Sequence, residues 1–130
     1  RRIFEVNVTG VINTIEPILP KMIARRHGQI ALVSSMAGFR GFPSAPAYSA
    51  SKGMVRFYGE ALRGSLRDTG VKVNVIMPGF VKSRMTDAND FHMPFLMEAD
   101  RAADIIARGL ARNHGRIAFP LPTYLGAWFL

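Results

Sequence analysis

Ser35-Met36-Ala37-Gly38-Phe39-Arg40-Gly41-Phe42-Pro43-Ser44-Ala45-Pro46-Ala47-Tyr48-Ser49-Ala50-Ser51-Lys52 is the stretch on which the reading of this chain turns. Tyr48 and Lys52 stand four residues apart where a helical pattern begins. At that spacing two side chains leave one helix face and can meet. Ser35 lies thirteen positions before Tyr48, at the end of Ile30-Ala31-Leu32-Val33, an apolar run that reads as a buried strand. A loop rich in Gly, Pro and Ser joins the two. A strand end and a helix start therefore bring a hydroxyl, a phenol and an ammonium toward one place. Open α/β sheets bind their ligands at such places, outside the carboxyl ends of the strands. A lone Tyr-x-x-x-Lys pair is more often a solvated helix face than a site. Here it is accompanied by the strand-end Ser, the Gly/Pro loop, Pro78-Gly79 after a second strand, and Asn7 on the preceding helix.

Upstream, Ile3, Phe4, Val8, Val11, Ile12, Ile15, Leu19, Met22 and Ile23 recur at steps of three and four. That spacing predicts a helix over 1–26 with a wide apolar face. Pro17 and Pro20 each remove a backbone donor and predict a kink. On the residues alone, Asn7 within this helix is a solvated or locally bonded side chain.

Downstream, a motif returns. Arg25-Arg26-His27-Gly28-Gln29-Ile30-Ala31 resembles Arg112-Asn113-His114-Gly115-Arg116-Ile117-Ala118, and Asp68-Thr69-Gly70-Val71 plays a similar part between them. Each reads as a helix end, a Gly taking the left-handed C-cap conformation, and an apolar strand. Helices are thus expected near 1–26, 46–69 and 99–113, and strands near 29–34, 71–76 and 116–119. Strands joined by helices pair in parallel through right-handed crossovers. The fold class is α/β. Gly53, Gly59 and Gly64 fall inside the second helix and mark either close backbone approach or tolerance. Residues 77–98 lose periodicity but carry Phe80, Met85, Phe91, Met93, Phe95, Leu96 and Met97. They form either a binding lid or a segment that packs on the domain. The apolar tail, Pro120 to Leu130, reads as a core or interface segment rather than a membrane anchor.

With 130 residues the chain is one domain or part of one, and residues 1–130 are taken as a single partial domain. It has no Cys, which rules out disulfides and thiolate chemistry and fits the reducing cytoplasm. No apolar run is long enough to span a membrane. The net charge of +8 is scattered rather than gathered into a stripe. No nucleic-acid motif accompanies it, so no nucleic-acid partner is expected. His27 and His114 read as helix-terminal groups beside the dipole, and no carboxylate or Cys cluster predicts a metal.

Taken together, Asn7-Val8-Thr9-Gly10, Ser34-Ser35-Met36-Ala37-Gly38, Tyr48-Ser49-Ala50-Ser51-Lys52 and Pro78-Gly79-Phe80-Val81-Lys82-Ser83 resemble, in order and spacing, the C-terminal half of the short-chain dehydrogenase/reductase family. The resemblance covers nearly the whole chain. It implies the C-terminal part of a doubly wound Rossmann-type parallel sheet with the N-terminal half absent. It also implies an NAD(P)-dependent oxidoreductase acting on a carbonyl or alcohol. The roles it implies are Tyr48 as acid/base, Lys52 favouring the phenolate and binding the nicotinamide ribose, Ser35 orienting the substrate oxygen, and Asn7 supporting a proton relay from a helix distortion that holds a water. The loop with Pro78, Gly79 and Val81 would border the nicotinamide, with Tyr48 and Lys52 on the ribose. Ser83 stands where the family commonly has a Thr that bonds the carboxamide.

These roles suit the chemistry. Reducing a ketone needs a hydride at carbon and a proton at oxygen; the cofactor brings the first and the protein the second. A free phenol titrates near 10, and a neighbouring ammonium favours its ionised form. A hydroxyl at the substrate oxygen stabilises the charge that develops there. What the sequence lacks is the family's Gly-rich pyrophosphate loop and the residue that reads the adenosine ribose. The isolated chain is therefore expected to be inactive and to bind no dinucleotide tightly, and the choice of NAD or NADP is unreadable. The strand near 29–34 becomes an edge open to another chain. The missing half is either present but unseen, lost to proteolysis, or replaced by abnormal assembly. A homo-oligomer is expected, since the family's first two helices here commonly pair between subunits. The apolar residues of 77–98 lean toward a hydrophobic substrate. The alternative is a non-catalytic binding or assembly protein that keeps the dehydrogenase fold.

Overall fold

The computed structural model describes residues 2–88 and 92–129. Before the first strand come α1 (Arg2–Phe4), a π-helical turn (Glu5–Thr9), α2 (Gly10–Ile15) and α3 (Leu19–Arg25). The apolar runs then give β1 (Gly28–Val33), β2 (Val71–Pro78) and β3 (Arg116–Phe119). Between β1 and β2 lies α4 (Pro46–Ser65); α5 (Arg84–Asp87) and α6 (Ala99–Ala111) separate β2 from β3, and α7 (Leu121–Phe129) follows.

The strands form one parallel sheet in the order β1-β2-β3. Gly28 pairs with Val71 and Val33 with Ile76, while Pro78 pairs with Phe119. This register brings the carboxyl ends of all three strands to one side. Helical crossovers require the parallel arrangement. Central β2 is covered on both faces. Val71 and Val73 pack with Ile30, Leu32, Val55 of α4 and Ile15 of α2, and Ile76 packs with Ile117, Phe119, Met97 and Ala102 of α6. Because side chains alternate along a strand, Val73 and Ile76 face opposite layers. Helices on both faces of a parallel sheet make this an α/β, Rossmann-type architecture. β1 stands at an edge, with Ile30 and Leu32 buried while Gln29, Ala31 and Val33 are exposed.

The predicted strands agree with the observed ones to within two residues, but three expectations need correction. The helix over 1–26 breaks into separate segments rather than only bending: the π turn at Glu5–Thr9 stands where the family resemblance implies a distortion at Asn7, and a turn at residues 16–18 holds Pro17, where a kink is expected. Pro20 sits in the first turn of α3, where its missing N–H costs nothing. The second and third helices end earlier than expected, at Ser65 and Ala111. At two of the three helix–strand junctions the left-handed residue is not the Gly. Arg26 (φ 54°) and Asn113 (φ 55°) take that conformation, and only Gly70 (φ 84°) behaves as expected.

Both non-Gly junctions are Schellman motifs. Arg26 N donates to Ile23 O and His27 N to Met22 O; Asn113 N donates to Leu110 O and His114 N to Gly109 O. Gly28 and Gly115 are small for a different reason. A Cβ at Gly28 would stand 2.6 Å from Met22 Sδ, and one at Gly115 would stand 2.9 Å from Arg63 Nε. The apolar tail becomes α7, which its reading as a packing segment did not specify. Phe91 and Leu130, together with Arg1, lie outside the described residues.

Candidate active site

Asn7 occupies the middle of the π turn, where Gly10 N donates to Glu5 O across five residues instead of four. Asn7 Nδ2 donates to Ser51 Oγ at 3.1 Å, and Ser51 Oγ donates in turn to the Tyr48 carbonyl at 2.8 Å. Ser51 is fully buried. The Asn side chain thus reaches the backbone of the catalytic candidate through a serine.

Ser35 follows the end of β1 and caps the 3-10 turn Met36–Gly38, its Oγ accepting from Ala37 N at 3.1 Å. Accepting through oxygen leaves the hydroxyl hydrogen to donate to a partner outside the turn. Ser34, one residue earlier, is buried, and its Oγ donates to the Lys52 carbonyl at 2.7 Å.

Tyr48 and Lys52 share the first turns of α4 as their spacing requires, with Lys52 Nζ 5.9 Å from the centre of the Tyr48 ring. Lys52 Nζ donates to the Val33 carbonyl at 3.0 Å, at the end of β1. Partial burial holds the Lys52 ammonium below its ordinary range. Beyond this helix turn, Ser49 Oγ accepts from Phe42 N at 2.9 Å and pins the Gly/Pro loop to α4. The helix start, the strand end and the π turn therefore converge on Tyr48 and Lys52.

Pro78 ends β2, and Gly79 N donates to Phe119 O at 2.8 Å, which carries the ladder one residue on. A Cβ on Gly79 would come within 3.0 Å of Pro120 Cδ. Val81 bridges to Met97 through Met97 N to Phe80 O and Lys82 N to Met97 O. In such a bridge the N–H and C=O of Val81 itself point away from Met97. Ser83 is the N-cap of α5, its Oγ accepting from Thr86 N at 3.4 Å while Ser83 N donates to Thr86 Oγ1 at 2.8 Å. The expected carboxamide ligand is thus committed to a capping box.

Tyr48, Lys52, Asn7 and Ser35 are brought to adjoining elements, whereas Ser83 is tied into a separate turn. Reading the sequence assigned no role to Ser34, Ser49, Ser51 or Gly38, although all four lie within or beside the quoted stretch. Their signal was proximity to reactive residues; the partner carbonyls and amides are set by tertiary contact. A cleft of about 510 Å³ lies beyond the loop, lined among others by Phe39, Phe42, Arg56 and Phe57. Tyr48 and Lys52 do not line it, so it is not the catalytic candidate. Among the described residues no group of three His, Cys, Asp or Glu is placed to hold a metal, and no helix is long and apolar enough to cross a membrane.

Comparison with known proteins accords with this geometry. The model of the short chain dehydrogenase family matches residues 1–93. An oxidoreductase of Myxococcus xanthus is 47% identical over 120 residues, which are 92% of this chain and 47% of that protein. A short-chain dehydrogenase from Sphingobium yanoikuyae, solved in complex with NADPH, superposes with a TM-score of 0.84 at 22% identity, over 96% of this chain and 51% of its own. A 3-oxoacyl-[acyl-carrier protein] reductase from Brucella melitensis, solved with bound NAD, superposes with a TM-score of 0.73 at 28% identity, over 91% of this chain and 50% of its own. The chain spans about half the length of the curated relatives it matches. With the family's model matched over 93 of its 130 residues and a relative 47% identical over 92% of its length, this chain belongs to the short-chain dehydrogenase family of oxidoreductases.

Proposed function

We propose that these 130 residues supply the catalytic part of an NAD(P)-dependent oxidoreductase that interconverts a carbonyl and an alcohol. The observation that carries this reading is the placement of the Lys52 ammonium, 5.9 Å from the Tyr48 ring and bonded to the end of the strand that leads into Ser35. Tyr48 gives its phenolic proton to the substrate oxygen during reduction and takes it back during oxidation. Lys52, a cation held close by, stabilises the phenolate left behind. Ser35 donates its free hydroxyl hydrogen to the same substrate oxygen. Asn7 holds the π turn against the helix and supports the path by which Tyr48 regains a proton.

The residues fit a nicotinamide dinucleotide. The ammonium of Lys52 and the hydroxyl of Tyr48 suit ribose hydroxyls at the carboxyl ends of β1 and β2. Pro78, Gly79 and the outward N–H of Val81 suit the edge of a nicotinamide, and Ser83 contributes only if its capping bond opens. When bound, the nicotinamide supplies or accepts the hydride. The exposed Phe95 and Leu96 favour a substrate with an apolar body. The exposed Phe4, Val6 and Phe57 favour pairing between copies of the chain, hence a homo-oligomer.

Replacing Tyr48 by Phe in the complete protein is the direct test. Turnover of a carbonyl panel with NADH or NADPH is expected to vanish while the melting temperature holds. Retained turnover would sink the mechanism, and no turnover of the panel by the unsubstituted protein would favour a binding or assembly role. The 130 residues contain no Gly-rich phosphate loop, so by themselves they are expected to show no tight calorimetric binding of NADH or NADPH. Tight binding would mean that phosphates are held by residues not assigned here.

A further inference from the structure

Ser34 is the one residue between the strand end that holds the Lys52 ammonium and the hydroxyl assigned to the substrate. Its backbone N–H donates to Ile76 O at 2.7 Å and prolongs the β1–β2 ladder. Its side chain, 2% exposed, donates to the Lys52 carbonyl at 2.7 Å. A carbonyl has two lone pairs, so this bond adds to the helical one that the same oxygen accepts. Val33, just before it, receives Lys52 Nζ at 3.0 Å. Residues 33 and 34 therefore hold Lys52 at both of its polar ends, and Ser35 is one peptide bond further on. The 3-10 turn closes onto the same point. A Cβ at Gly38 would stand 2.5 Å from Lys52 O and 2.6 Å from Ser34 Oγ, which leaves no room for a side chain there.

We infer that Ser34 is a positioning residue for the reaction: through the Lys52 carbonyl, and with Gly38 as the gap that admits the contact, it fixes the catalytic helix against the strand that carries Ser35. The inference rests on the reading of Tyr48 and Lys52 given above. Stability alone does not require the bond to end at Lys52. Ser49 pins the same loop to the same helix through Phe42 N, one residue after Tyr48. What the Ser34 bond adds is registry between the hydroxyl at Ser35 and the Tyr48–Lys52 pair. A reacting group displaced by about 1 Å can lose a hundredfold in rate.

The test is steady-state kinetics of the complete protein carrying Ser34→Ala, with Gly38→Ala, Gln29→Ala and Tyr48→Phe alongside. Ser34→Ala is expected to lower kcat about tenfold or more and to raise KM for NAD(P)H by clearly less than that, because geometry at the reacting atoms is more exacting than contact with the ribose. Gly38→Ala keeps the Ser34 hydroxyl but forces the turn off the Lys52 carbonyl. It is expected to give the same split, and it carries the test if Ser34→Ala fails to fold. Gln29 bonds Asn74 Oδ1 and the Leu110 carbonyl, each at 2.9 Å, so Gln29→Ala removes hydrogen bonds elsewhere on β1. It is expected to lower stability and leave kcat unchanged. Wild-type kcat in both Ser34→Ala and Gly38→Ala, beside an inactive Tyr48→Phe, would overturn the positioning role alone. A fall in kcat for Gln29→Ala equal to that for Ser34→Ala would do the same. Turnover retained by Tyr48→Phe would remove the underlying reading, and this inference with it.

Discussion

Asn7 Nδ2 donates to Ser51 Oγ at 3.1 Å although 44 positions separate the two residues. Ser51 is fully buried and spends its own hydrogen on the Tyr48 carbonyl, so its oxygen depends on Asn7 for a donor. Asn7→Ala is expected to destabilise the fold by about 1–3 kcal/mol, the cost of stranding the buried Ser51 oxygen, and Ser51→Ala, which leaves only the half-buried Asn7 unpaired, by about 0.5–1.5 kcal/mol. Because each removes the other's partner, the double variant should cost less than their sum. A coupling of about 0.5–1.5 kcal/mol in a urea-denaturation cycle is expected. Strict additivity would mean that the π turn is held by packing and not by this bond.

Two glycines of α4 should respond to alanine with opposite signs. A Cβ at Gly59 would stand 2.5 Å from Val75 Cγ2 and 2.8 Å from Leu32 Cδ1, where the helix presses on the sheet. Gly59→Ala is expected to destabilise by about 1–3 kcal/mol through overpacking. At Gly64 the same atom meets open space. Gly64→Ala is expected to stabilise by about 0.5–1 kcal/mol through helix propensity and a less flexible unfolded chain. Thermal melts of both variants check the contrast, and destabilisation by both would show that α4 tolerates no added volume on either side.

This pair also shows what the sequence made legible. The spacing of Tyr48 and Lys52 and the apolar runs around Val33 and Val75 encode α4 and the strands directly, because period and burial are local properties. Gly59 and Gly64 read alike, since the difference between them lies on the far side of a tertiary contact. The distortion at Asn7 was implied only by the family resemblance, and its π-helical form could not be read from the residues themselves, because no residue type demands a five-residue bond. Arg26 and Asn113 took the left-handed positions expected of the glycines two residues later. Where Schellman bonds close the helix, the residue at its end must adopt that conformation, and a neighbouring Gly kept small by packing mimics the cap signal. Ser34 and Ser51 were in plain view inside the motifs, but the carbonyls they serve are chosen by the packing of α4 on β1.

Lys52 gives the fold a pH dependence whose sign follows from burial. Burial lowers its value from the ordinary 10.5, so the folded protein disfavours the ammonium relative to the unfolded chain. Between the lowered value and 10.5 the unfolded chain binds more protons, and stability therefore rises with pH across that window. Below it the penalty of the partly buried ammonium is fully present. Lys52→Met removes the titration. The expected result is that the stability of the wild type relative to Lys52→Met climbs as pH is raised through the window below 10.5, as followed by urea denaturation. A flat difference would show that the bond to the Val33 carbonyl compensates the ammonium for its lost water.

Asn113 combines two roles that two substitutions separate. Its backbone is left-handed at φ 55°, and its Oδ1 accepts from Arg63 Nη1 at 2.9 Å and Asn74 Nδ2 at 3.1 Å. Asn74 is fully buried but keeps a second bond to the His114 carbonyl, and Arg63 Nη1 keeps one to the Val73 carbonyl. Asn113→Gly preserves the backbone and deletes only the side-chain acceptor, so a loss of about 1 kcal/mol is expected. Asn113→Ala also deletes the acceptor but keeps a Cβ in left-handed geometry, now without the polar group that lets Asn tolerate it, so a loss about 1 kcal/mol larger than for glycine is expected. Alanine should therefore be the more damaging of the two in urea denaturation, even though glycine is the poorer residue in most settings. Equal losses would assign the whole cost to the side-chain acceptor and none to the backbone. A larger loss for glycine would mean that the junction between α6 and β3 is limited by unfolded-chain entropy rather than by its cap.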